Sequence, residues 1–159
     1  MDKKVIILLF ICLTCLLLVS TVNATEINNN TLSSQGISYQ IADDLSNDDI
    51  QVLLDNANDG DTFEFTSKEY KNVSLVVDKK LNIVSATGSI VYVSDGISAK
   101  AQNLSIDKTF GFYFTNNSGG SRLSGITIIF DLNDYGVIVD SSDNTIIKNN
   151  KVAGSQKAG

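Results

Sequence analysis

The chain contains no histidine, and its only two cysteines, Cys12 and Cys15, lie within its first apolar run. Without imidazole it has no ligand, general base or proton shuttle of the kind that ordinarily works near neutral pH. If that first run is removed no thiol is left, which excludes disulfides and thiolate metal sites from the remainder. Positive charge is scarce as well, with Arg122 the single arginine. Leaving out Asp2, Lys3 and Lys4 reduces 18 acidic and 12 basic residues to 17 and 10, a net charge of −7. Nucleic acid needs a basic patch, and such a chain is a poor partner for it.

What is present begins with a targeting segment. Lys3-Lys4 is a basic start, Val5 to Val19 is apolar apart from Thr14, and Val22-Asn23-Ala24 ends in a small residue. This pattern predicts a signal peptide over 1–24, cleaved after Ala24, and a secreted or cell-surface product. An uncleaved anchor is the lesser reading, because a membrane-spanning helix needs about 20 apolar residues. Residues 25–45 are rich in Asn, Ser, Thr and Gln and read as a polar linker. Ser46 or Asn47 then caps a short helix, with Asp48-Asp49 at the positive end of its dipole and Ile50, Leu53, Leu54 and Ala57 as its apolar stripe.

Beyond the helix, apolar residues alternate along short strands. Phe63/Phe65, Val91/Val93, Phe112/Phe114 and Val137/Val139 form one series with spacings of 28, 21 and 25 residues. Leu81/Ile83, Leu104/Ile106, Ile126/Ile128 and Asn150/Val152 form another, with spacings of 23, 22 and 24. Clusters of Gly, Asn, Asp and Ser separate them as turns. Two interleaved series at one average period predict stacked coils holding at least two strands each, because no single unit of that length buries its own apolar face. Gly111-Phe112-Tyr113-Phe114-Thr115 and Gly136-Val137-Ile138-Val139-Asp140 repeat one pattern: Gly, apolar, exposed, apolar, polar. Asn150 stands where its series otherwise places Leu or Ile, and the coil above it would have to meet its hydrogen bonds.

The run from Asp49 through Gly60-Asp61-Thr62-Phe63 to Tyr70, with Leu75, Lys79 and Leu81-Asn82-Ile83, resembles the N-terminal cap and first coil of right-handed parallel β-helix proteins of the pectin-lyase-like superfamily. Tyr135 to Val139, Ser141 to Ile146 and Asn149 to Val152 are similar to the Asn-rich repeat of NosD-type domains, and most of all to adhesin-like surface proteins of methanogenic archaea. The resemblance covers most of residues 47–152. It implies an all-β right-handed parallel β-helix of about four coils over 46–152, with a short N-terminal capping helix and a flexible tail over 153–159. It leaves activity open, since that superfamily holds lyases, hydrolases, epimerases and non-enzymatic adhesins.

A polysaccharide-cleaving member would need clustered carboxylates, or bound calcium beside a basic residue. Asp43-Asp44 and Asp48-Asp49 are the only adjacent pairs, and both precede the coils. Asp131, Asp134, Asp140 and Asp143 are weak calcium candidates if stacking brings them together at about 4.8 Å per coil. Otherwise they close turns, and no cofactor is expected. Arg122 reads as a solvated side chain in a Gly/Ser turn. The absence of histidine and of paired carboxylates in the coils weighs against an enzyme.

The leading expectation is a non-catalytic adhesin-like surface protein that contacts surface polysaccharide or other cells through Tyr92 and Tyr113 on exposed strand faces. The alternatives are the N-terminal part of a polysaccharide lyase or hydrolase, and a structural stalk. Sequons at Asn29, Asn72, Asn103 and Asn116 are candidates for glycosylation. Ala153 to Gly159 offers no large apolar residue to cover the last coil, so a truncated solenoid is expected, with further coils or end-to-end self-association at that edge.

Overall fold

The computed structural model describes residues 36–93, 104, 106, 108–131 and 133–155. The expected signal peptide over 1–24, the sequons at Asn29 and Asn103, residues 25–35 of the expected linker and residues 156–159 of the expected tail lie outside the described residues.

A strand, β1 (Ser38–Ile41), comes first, followed by helix α1 (Asn47–Asn56). Ser46 is the N-cap: its hydroxyl accepts from the Asp49 amide at 3.1 Å, while the Asp49 carboxylate accepts from the Ser46 amide at 3.2 Å. The Ser46 hydroxyl, donating to the Asp49 carboxylate at 2.6 Å, and after it the Ser46 amide hold the Asp49 carboxyl below its ordinary pKa. At the other end Lys79 Nζ donates to the carbonyls of Asp55 and Ala57, placing a cation at the negative end of the dipole. Ile50, Leu54 and Ala57 are buried and Leu53 partly so. The stripe expected from the sequence is therefore the buried face.

Eleven further strands follow α1. They are β2 (Thr62–Phe65), β3 (Glu69–Tyr70), β4 (Leu75–Val77), β5 (Asn82–Val84), β6 (Ile90–Tyr92), β7 (Phe110–Phe114), β8 (Arg122–Ser124), β9 (Thr127–Asp131), β10 (Tyr135–Val139), β11 (Ile146–Lys148) and β12 (Lys151–Ser155). A 3-10 turn covers Asn116–Ser118. Every pairing between these strands is parallel. The strands form three sheets, ordered β1-β2-β5-β8-β11, β3-β6-β9-β12 and β4-β7-β10. From β2 onward the chain visits the first, second and third sheet in unbroken rotation, and from β5 onward each strand pairs with the strand one circuit earlier.

The register corrects the two series read from the sequence. Phe63 pairs with Ile83, and Ile83 with Leu123, in the first sheet. Tyr70 pairs with Val91, and Val91 with Ile128, in the second. Leu75 pairs with Phe112, and Phe112 with Val137, in the third. Each circuit thus holds three strands, and the expected series had mixed rows from different sheets. Leu104 and Ile106 are not a rung; they pack on the outside of the third sheet. The linker reading also gives way at its end, because β1 pairs with β2 from Ser38↔Thr62 to Ile41↔Phe65. Tyr39 stacks on Phe63 with ring centroids 4.7 Å apart.

The inward rows of all three sheets form one apolar core in which Phe63, Ile83, Leu75, Phe112, Phe114, Leu123 and Ile128 have no exposed surface. Each such side chain contributes about 1.5–3 kcal/mol by leaving water. Gly111 and Gly136 stack where the second sheet gives way to the third. A Cβ at Gly111 would lie 2.6 Å from the Gly136 carbonyl oxygen and 2.9 Å from Val93, and one at Gly136 would lie 2.6 Å from Val152. The glycine that opens each repeat therefore marks a corner with no room for a side chain.

Asn150 lies beside Ile126 and fastens two circuits together. Its Oδ1 accepts from the Ile126 amide at 2.9 Å and its Nδ2 donates to the Leu123 carbonyl at 2.8 Å. Just before this pair stand Gly125 and Asn149, both in the left-handed region with φ of 77° and 56°. Asparagine tolerates that region better than other residues with a side chain.

Candidate functional site

Alternation in the first sheet turns Phe63, Ile83 and Leu123 inward, so their neighbours face out. One outward row is Thr62, Asn82, Arg122 and Ile146, and the next is Glu64, Val84, Ser124 and Lys148. Gln40 Nε2 donates to Glu64 Oε2 at 2.9 Å. Asn82 Nδ2 donates to the Gly60 carbonyl at 3.3 Å and lies 3.5 Å from Thr62 Oγ1. Arg122 Nε donates to Ser124 Oγ at 3.1 Å, which lays the guanidinium along the sheet. A shallow depression of about 500 Å³ here is lined by Thr62, Asn82, Val84, Ser85, Ala86, Arg122 and Ser124. Arg122 opens β8 rather than sitting in the turn before it, and with Thr62, Asn82 and Val84 it is half-buried. A wrong register hid this row from sequence reasoning. Its signal was the polar residue on either side of each inward apolar one.

The outer face of the third sheet is covered in part. Val76, Phe110 and Tyr113 form a small second cluster with Leu104, Ile106 and Ile138. Tyr113 is 8% exposed, so it is not on the open strand face expected of a glycan contact. Its hydroxyl donates to Asp140 Oδ2 at 2.6 Å. That bond raises the Tyr113 pKa and, together with one from Ser141, lowers that of Asp140. Beside the pair is a second depression of about 570 Å³, lined by Ile106, Tyr113, Tyr135, Val137, Ile138, Val139 and Asp140. Lys108 Nζ lies 5.3 Å from the centroid of the Tyr135 ring. Tyr92, half-buried, faces outward on the second sheet beside Ile129.

The structure does not gather the four calcium candidates. Among the described residues no three His, Cys, Asp or Glu side chains are placed to share an ion. The Asp134 amide closes a turn onto the Asp131 carbonyl at 2.9 Å, Asp140 is engaged by Tyr113, and the Asp143 carbonyl accepts from the Gly120 amide at 2.8 Å. Asp43 accepts from Ser67 Oγ, and Asp48-Asp49 lie in the first turn of α1. Of the sequons, Asn72 and Asn116 are exposed, Asn72 with φ of 59°. No helix among the described residues is long and apolar enough to cross a membrane.

With this geometry in hand, comparison with known proteins adds no relative: no family model, curated protein or solved structure matches the chain.

Proposed function

We propose that the chain is an exported, non-catalytic cell-surface protein of the adhesin-like kind, built as a right-handed parallel β-helix behind a signal peptide over 1–24, and that it contacts glycans through the outer face of its first sheet. The rotation of parallel strands through three sheets, with a helix over the first circuit, supports the β-helix reading. The observation that carries the glycan reading is the half-buried row Thr62, Asn82 and Arg122 along one shallow depression. Amide, hydroxyl and guanidinium groups held side by side on paired strands present donors and acceptors at the spacing of a rigid sheet. That suits the hydroxyl and carboxylate groups of a sugar chain lying across the strands. Rigid elements lower the ordering cost of binding. Exposed sequons at Asn72 and Asn116 fit an exported glycoprotein.

Binding of the chain to a glycan array is the test, with Asn82→Ala and Arg122→Ala as variants. The chain should bind one class of saccharide, and loss of Arg122 should weaken that binding by about tenfold or more, as removal of a charged hydrogen bond does. A chain that binds no saccharide on the array, or a pair of variants that bind as the parent does, overturns the reading.

A further inference from the structure

The sequons at Asn72 and Asn116 are each divided by the protein surface. Both asparagines are exposed, whereas the hydroxyl residues two places on, Ser74 and Ser118, have no exposed surface, and Val73 within the first sequon is 1% exposed. Neighbouring segments hold both sites shut. The Ser118 hydroxyl donates to the Thr115 carbonyl at 2.7 Å and lies 2.9 Å from the Ser142 hydroxyl, one circuit on. Asn47 Oδ1 accepts from the Ser74 amide at 2.8 Å, and the Val73 amide donates to the Tyr92 carbonyl at 3.1 Å. The Ser74 hydroxyl itself is buried without a hydrogen-bond partner among the described residues.

A sequon is defined by its hydroxyl as much as by its asparagine, so a transferase that reads it must reach both. We propose that saccharide is joined to Asn72 and Asn116 only before their circuits close, and that the folded chain is not an acceptor. The donor is a saccharide carried on a lipid phosphate. In the transfer the Asn amide nitrogen bonds to the anomeric carbon, and the bond from that carbon to the phosphate oxygen breaks. Its electron pair leaves with the lipid phosphate, and one amide proton passes to the transferase.

Ser74 carries the argument furthest. An unpaired buried hydroxyl costs stability, and in the fold Ser74 makes no side-chain bond that offsets the cost. Its use belongs to the unfolded chain, which presents asparagine and hydroxyl together. Once joined, the saccharide has room, because both asparagines are exposed and neither lines the depression at Asn82 and Arg122. The inference rests on the reading of the chain as an exported glycoprotein.

The test offers the folded chain, made in cells that lack the transferase, and peptides spanning residues 68–78 and 112–122 to an oligosaccharyltransferase with its lipid-linked donor. Each site is read by mass. Both peptides should be modified, and the folded chain should stay bare at Asn72 and Asn116. Ile146→Thr supplies a control within the fold. It completes a sequon at Asn144, whose φ of 59° matches that of Asn72, but sets the hydroxyl where Ile146 is 51% exposed on the outward row of the first sheet. That variant should be modified at Asn144 while Asn72 and Asn116 stay bare. Peptides that are refused overturn the proposal and the glycoprotein reading together. A folded chain modified at Asn72 or Asn116, or an Ile146→Thr chain refused at Asn144, overturns the proposal alone.

Discussion

The Tyr113 hydroxyl and the Asp140 carboxylate join two circuits through one charge-assisted hydrogen bond, and their pKa shifts make its contribution depend on pH at both ends. Asp140 titrates below its ordinary value of 3.8 in the folded chain, so its contribution is complete above that value and is lost as pH falls through the lowered one. Tyr113 titrates above its ordinary value of 10.0, so its contribution is complete below that value and is lost as pH rises through the raised one. Melting curves of the parent and of Tyr113→Phe should therefore differ between these limits and converge in strong acid and strong base. A gap that persists unchanged at low pH would show that the bond is not its source. The sequence marked both residues but could not pair them. Tyr113 occupies the nominally exposed place in its repeat, and only the cover from Leu104, Ile106 and Phe110 makes it a buried donor.

Among elements, α1 and the corner glycines have the clearest roles. Gln51 is a polar residue at 4% exposure that stands in for a missing strand, meeting both backbone groups of Val76. Gln51→Ala would leave a buried amide and carbonyl unpaired and should cost about 2–3 kcal/mol, measurable by urea denaturation. Gly111→Ala would drive a methyl into the Gly136 carbonyl and the Val93 side chain, and a loss of about 1–3 kcal/mol is expected from overpacking. If that variant melts with the parent, the corner is looser than the contacts indicate. The helix was readable because its cap, acidic first turn and apolar stripe are all local in the sequence. The strands were readable one by one but not in their pairing. Phe63-Glu64-Phe65 and Phe112-Tyr113-Phe114 share the same alternation, which tells which side chains turn inward and nothing about which sheet they join.

At the scale of the whole molecule, what escaped the sequence was the number of sheets and the length of one circuit. Equivalent positions lie 24 residues apart between Leu123 and Ile147 and between Ile128 and Val152, but 40 apart between Ile83 and Leu123. The extra length falls between β6 and β7. Leu104 and Ile106, on that stretch, mimic a rung by their own alternation, and they filled the gap in the expected series with a spacing that looked regular. The outward row of the first sheet was missed for the same reason, since Asn82 and Arg122 become neighbours only when that long circuit is counted as one.

One consequence of the pairing order concerns time rather than space. From β5 onward each strand joins a partner that precedes it, at separations between 20 and 40 residues, from Phe63↔Ile83 to Ile83↔Leu123. From β2 onward only β3 and β4 wait for later strands, β6 and β7, and α1 already closes the other edge of β4 with residues that all lie before Asp78. A chain produced from its N-terminus can therefore commit its structure as it lengthens, each new segment settling on one already in place, with the uncovered apolar edge always the most recently made.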